Sequence, residues 1–198
     1  KRQGTRVVRM LCNGLLVFDR LNDGRAELED ALVGSFVAAL MARTLGLGAR
    51  QAAAEESFIC ALFHRLGRNL VLYYLDAEHA EIAGLVAQGE ERLSAERKVL
   101  GATCAELGVE IARHWKFPEE IVTSMLPVPD GWLRTVAAGA MTTPQWLRLL
   151  AQFASELCEL AQTESDQPWL LLEAAVAPYA SALALDSERA GELLAGGL

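Results

Sequence analysis

The sequence predicts an all-α protein, and three observations carry that prediction. Ala and Leu dominate the chain, β-branched residues rarely alternate with polar ones, and apolar residues recur at steps of three and four, the spacing of one helix face. No segment reads as a strand. The 198 residues are 52% hydrophobic and 22% charged, enough for one well-buried domain or two small ones. Acidic side chains outnumber basic ones, 26 to 18, giving a net charge of −8. Such a chain repels phosphate backbones, and its one basic cluster, Lys1, Arg2, Arg6 and Arg9, is terminal, so nucleic acid is not an expected partner. Arg, Asp or Glu interrupts every apolar stretch before about 18 residues have passed, so no membrane span is expected and the chain reads as soluble.

The elements follow in order. Val8, Leu11, Leu15 and Phe18 lie on one side of a helix that ends near Asn22-Asp23-Gly24. A second helix carries Leu28, Leu32, Phe36 and Leu40 and stops around Gly46-Leu47-Gly48. A third runs from about Ala52 to Leu66, where Gly67 either breaks it or permits close packing. Asp76 reads as the N-cap of a helix containing Ile82, Leu85 and Val86, closed by Gly89.

Punctuation is clearest in the middle of the chain. Thr103 and Glu106 fit a capping box, after which Leu107, Ile111 and Trp115 recur every four residues. Pro118 reopens a helix, with Glu119 and Glu120 against the positive end of its dipole. Pro127 to Gly131 is a loop. Thr143-Pro144 starts the best-patterned helix, whose seam is Trp146, Leu150, Phe153, Leu157 and Leu160. Trp115, Trp146, Phe153 and Phe63 are expected in the core. Thr163 to Gln167 is linker-like, and helices near Pro168 to Leu185 and Ser187 to Leu194 follow it. The expected organisation is a helical domain over 1–162 with a C-terminal helical appendage, 163–198, packed on it because so short a piece hardly stabilises itself.

Cys12, Cys60, Cys104 and Cys158 are widely spaced in apolar or helical contexts, without a zinc-knuckle or CxxC pattern. They read as reduced and mostly buried, which suits a cytoplasmic protein. His64, His79 and His114 form no HxxxH or HExxH spacing and have no third ligand at a helical interval.

His64 stands in a longer pattern. The segment from Phe58 to Arg68, then Tyr73 to Ile82, Ala95 to Gly101, Ala105-Glu106-Leu107-Gly108 and Trp115 to Ile121 resemble the HDOD family, the non-catalytic, signalling-associated relative of the HD-domain metal-dependent phosphohydrolases. The likeness covers roughly Leu28 to Leu160 and matches the C-terminal part of the family pattern. It implies an HD-like helical bundle, and it implies that the family's further N-terminal lobe precedes this segment, so that the chain is a fragment.

The resemblance also implies a ligand set to compare. An HD phosphohydrolase holds its metal with an early His, a His-Asp pair and a later Asp. Here the pair reads His64-Arg65, the early position falls near Gly34-Ser35, the late one near Ser155, and a further position, His in many relatives, is Cys104. One imidazole beside a guanidinium does not hold a Mg²⁺ or Mn²⁺ ion, which prefers several oxygen ligands. No metal, no cofactor and no catalysis are expected. His64, Arg65 and Arg68 leave two readings open: a site for an anionic, nucleotide-like ligand, or a buried imidazole bonded to backbone with both arginines paired to acids.

The expected function is a non-catalytic signal-transduction module that works through protein contacts and conformational relay. Its expected partners are other signalling proteins or a fused upstream domain, and a second copy through the Val8, Leu11, Leu15 and Phe18 face. A degenerate phosphohydrolase and an anion-binding module are the alternatives.

Overall fold

The computed structural model describes residues 26–49, 53–129, 131–135, 141–161 and 166–183, with residues 163, 185, 188 and 192. Helices and no strand occur among them: α1 (Ala26–Ala49), α2 (Ala54–His64), α3 (Leu66–Tyr74), α4 (Asp76–Ala87), α5 (Arg92–Leu100), α6 (Cys104–His114), α7 (Glu119–Ser124), α8 (Trp132–Thr135), α9 (Thr143–Ala161), α10 (Pro168–Val176) and α11 (Ala180–Leu183). The all-α expectation holds. The chain divides into two units, one of Lys1–Val33 with Leu66–Pro118, the other of Gly34–Arg65 with Glu119–Leu198.

Helix α1 opens with Glu27 and Glu29 in its first turn, favourably placed against the helix dipole. Its buried side corrects the sequence seam. Leu28 is buried, but Phe36 and Leu40 are 50% and 38% exposed, and the inward positions are Ser35, Ala38, Ala39, Met41, Ala42 and Leu45. Steps of four residues advance about 40° beyond a full turn each time, so a strict series walks off the face it began on. The segment Ala26–Gly48 is also long and apolar enough, by length and composition, to cross a membrane, at a mean hydropathy of 1.6. Charge still interrupts the stretch, as expected, at Glu27, Glu29, Asp30 and Arg43. Only Arg43 breaks its central run, and 44% of the window lies buried in the protein.

In the first unit, α3 packs on α6 and α4 on α5. Leu28 and Leu72 are buried together, with Ala31, Leu32 and Tyr73 against them. Gly67 does not break a helix; it lies inside α3 and lets that helix touch α6, because a Cβ there would stand 1.8 Å from the Cys104 carbonyl oxygen and 2.7 Å from the Gly108 nitrogen. Asp76 is the first residue of α4 rather than its cap; the N-cap is Leu75, without a side-chain bond. The capping box forms as expected: Thr103 Oγ1 accepts from the Glu106 N–H, and the Glu106 carboxylate accepts from the Thr103 N–H at 2.8 Å. The buried face of α6 is Cys104, Gly108, Val109 and Ala112, one step round from the expected Leu107, Ile111 and Trp115, and Trp115 is 39% exposed instead of core. Lys116, at φ 59°, ends this helix in the left-handed region, with its N–H on Arg113 O and the Phe117 N–H on Ala112 O.

In the second unit, α9 packs on α2, α7 and α10. Four of the five predicted seam residues, Trp146, Leu150, Phe153 and Leu157, are buried, with Phe63 of α2, whereas Leu160 in the last turn is only half-buried. The acidic start of α7, Glu119-Glu120, is as expected. Beyond the linker-like segment, Tyr179 stacks on Phe153 at 4.9 Å between ring centres, and its hydroxyl accepts a bond from Gln152 Nε2 at 3.1 Å. That pair ties the α10–α11 turn to α9.

Candidate functional site

His64 is the last residue of α2, placed there because Ile59, Cys60, Leu62 and Phe63 bury the helix against its unit. Its Nδ1 lies 2.7 Å from the backbone oxygen of Ser124, the last residue of α7. A carbonyl only accepts, so Nδ1 carries the proton and donates, and the lone pair sits on Nε2. Helix α7 therefore has one of its orphan C-terminal carbonyls satisfied by a side chain 60 residues away. Burial pushes the His64 pKa down to about 4, helped by Arg65 and Arg148 and opposed by the Ser124 bond and by Glu159. The ring is neutral at pH 7.

Arg65 follows at the C-cap of α2 and forms an ion pair with Glu159 of α9 at 2.7 Å, with the Arg65 side chain only 11% exposed. A planar guanidinium against a carboxylate in such partial burial is stronger than an open surface pair. Around these residues the backbone is held by further donors. The Cys60 thiol points at Glu120 O at 3.9 Å and the Cys158 thiol donates to Gly34 O at 3.2 Å. Arg148 donates to Leu126 O and Pro127 O, and Gln152 Oε1 accepts from the Val128 N–H. Sequence reading passed over Glu159, Arg148 and Gln152; the available signal was the polar line at positions 148, 152, 156 and 159, opposite the apolar seam of α9.

The predicted site residues fall as follows. His64 and Arg65 lie in the second unit, whereas Arg68 is in α3 of the first. The face formed by Val8, Leu11, Leu15 and Phe18 lies outside the described residues. At the positions of the implied metal set, Gly34, Ser35 and Ser155 are buried and offer neither imidazole nor carboxylate. No group of three or more His, Cys, Asp or Glu is placed to hold a metal among the described residues. A guanidinium beside the one imidazole repels a divalent cation, and Glu159 is already engaged with it. These residues do not fit a catalytic metal.

The described cysteines do not offer a nucleophile, and Cys12 lies outside the described residues. Burial pushes the Cys60 and Cys104 thiols up to about 12 and raises that of Cys158, and all three are free and buried, so none supplies a thiolate at neutral pH. His79 lies 3.8 Å from Glu27, and His114 sits exposed in the last turn of α6.

Comparison with known proteins comes to a family and a fold. The HDOD domain model matches residues 1–128. The crystal structure of a "Putative phosphohydrolase" from Shewanella amazonensis SB2B is similar at a TM-score of 0.63 and 22% identity, over 88% of this chain and 63% of that one. An HDOD domain protein with unknown function from Geobacter sulfurreducens is similar at 0.60 and 18%, over 84% and 60%. The chain thus spans somewhat over half the length of each solved structure. No curated protein matches it.

Proposed function

Since the chain belongs to the HDOD domain family, we propose that it is a non-catalytic signal-transduction module, acting on other signalling proteins or on a fused domain by contact and conformational relay. One observation carries the non-catalytic part: Arg65, where the related hydrolases place a metal-binding carboxylate, is locked to Glu159 at 2.7 Å. A metal centre there would have to displace a cation and break its ion pair with Glu159, in which the Arg65 side chain is 11% and the Glu159 side chain 47% exposed. His64, neutral and bonded to Ser124 O, serves as a cap for α7 in this reading and not as a ligand. The proposal takes 1–162 as the HDOD-like part, 163–198 as its appendage and the cytoplasm as its compartment.

The test is incubation of the purified protein with nucleotides and phosphodiesters, with added Mn²⁺ or Mg²⁺. No turnover is expected. Turnover that disappears in His64→Ala would establish a degenerate hydrolase instead. Titration with cyclic dinucleotides separates the remaining alternative: micromolar binding lost in Arg65→Ala and Arg68→Ala would replace the contact reading with anion sensing.

A further inference from the structure

Helix α10 is fastened to its unit at one end. Leu172 and Val176 are buried, whereas Pro168, Trp169, Leu170 and Leu171 of its first turn are exposed. Between that turn and the end of α9 lies a cavity of about 480 Å³, wholly within the second unit. Leu160 and Ala161 line it from the last turn of α9, and Pro168, Trp169, Leu171 and Leu172 line it from α10. Its volume is that of a small-molecule site, and its walls are apolar, as the walls of such sites usually are.

The surroundings also decide which charge can enter. Thr163 is the polar member of the lining, and both its donors are spent, the N–H on Leu160 O and the hydroxyl on Glu159 O, each at 3.0 Å. The last turn of one helix and the first turn of another meet here, so the negative end of one dipole offsets the positive end of the other. What charge remains is acidic. Between Arg148 and Arg189 the chain carries seven Asp or Glu and no Lys, Arg or His. Arg65 reaches Glu159 from α2, but its side chain is 11% exposed and already paired. Glu173 is exposed and stands one turn after Trp169, on the same strip of α10. A cation against the indole meets that carboxylate, while a fatty acid or a phosphate ester meets like charge and no base to pair with.

We propose that this cavity binds an organic cation with a slender apolar body, of which an alkyl quaternary ammonium is the simplest representative. The apolar body fills the space between Leu160 and Leu172, and the cationic head rests by Trp169 and Glu173. Burial of a short chain with no directional bond gives a modest affinity. The site uses neither His64 nor Arg65, so it stands or falls apart from the contact reading.

Calorimetric titration of the 198-residue chain with octyltrimethylammonium, octyl glucoside and octyl sulfate, each below its micelle concentration, tests this. The three share one chain and differ in charge. One octyltrimethylammonium per protein is expected, with a Kd of about 0.1 mM. Octyl glucoside should bind about threefold more weakly and octyl sulfate about tenfold more weakly, or less. Ala161→Phe, at an exposed position on the cavity wall, should fill the space and weaken the cation by about tenfold; if circular dichroism shows that variant unfolded, Trp169→Ala takes its place. Glu173→Gln should weaken the cation by about threefold and leave octyl glucoside unchanged. No binding of the cation up to about 5 mM overturns the proposal, as does binding indifferent to the wall substitution or to Glu173→Gln. The glucoside or the sulfate binding as tightly as the cation overturns it equally, because charge would then select nothing.

Discussion

Replacing Gly67 with Ala adds one methyl group and, in this fold, forces two helices apart. The new Cβ would lie 1.8 Å from Cys104 O, 2.7 Å from Gly108 N and 2.8 Å from Cys104 C, all backbone atoms that no rotamer change can move aside. Separation to even the closest contact seen in real structures requires α3 and α6 to part by roughly 1.2 Å, along a line where interiors are packed without slack. Overpacking of flexible side chains costs about 1 to 3 kcal/mol, and backbone against backbone belongs at or above the top of that range. The Gly-to-Ala gain in helix propensity, at most about 1 kcal/mol, offsets a fraction. The expected net loss is about 3 kcal/mol, a large part of the stability of an ordinary domain. Gly84 supplies the control. It lies inside α4 with nothing within 4 Å of its virtual Cβ, so Gly84→Ala should gain about 0.5 to 1 kcal/mol from propensity alone. Urea unfolding followed by circular dichroism reads both variants. If Gly67→Ala falls within about 0.5 kcal/mol of wild type, α3 and α6 do not touch at this point and the reasoning fails.

Phe153→Ala should cost about 3 to 5 kcal/mol, because the ring is 0% exposed and stacks on Tyr179; a loss below about 1 kcal/mol by the same unfolding measurement would take it out of the core. His64 gives the protein a pH dependence. Its folded pKa near 4 lies below the ordinary 6.5, so between those values the unfolded chain binds the extra proton, and stability falls as the pH drops through that window, by about 2 to 3 kcal/mol from pH 7.5 to 4.5. Denaturation curves at the two pH values should show this increment in wild type and not in His64→Gln; the same pH dependence in both would mean that the ring is not desolvated.

The sequence by itself determined whatever is written within one turn or one face of a helix. The capping box at Thr103 and Glu106, the acidic start of α7 and the seam Trp146, Leu150, Phe153 and Leu157 were legible because the interacting residues are three or four apart and helix geometry sets their distance. The altered ligand set was equally legible, as His64-Arg65 is read directly from the chain. Only the tertiary structure decided which side of an apolar helix faces inward. In α1 hydrophobicity marks Phe36 and Leu40, yet the buried side takes Ser35, Ala38, Ala39 and Ala42 with Met41 and Leu45, because which side of an apolar helix is covered is set by the elements packed on it and not by its own residues. The partners of the candidate site were hidden for a related reason. Ser124 for His64 and Glu159 for Arg65 are chosen by how α7 and α9 pack beside α2, and a carbonyl or a glutamate carries no local mark of the side chain that will reach it across 60 or more residues.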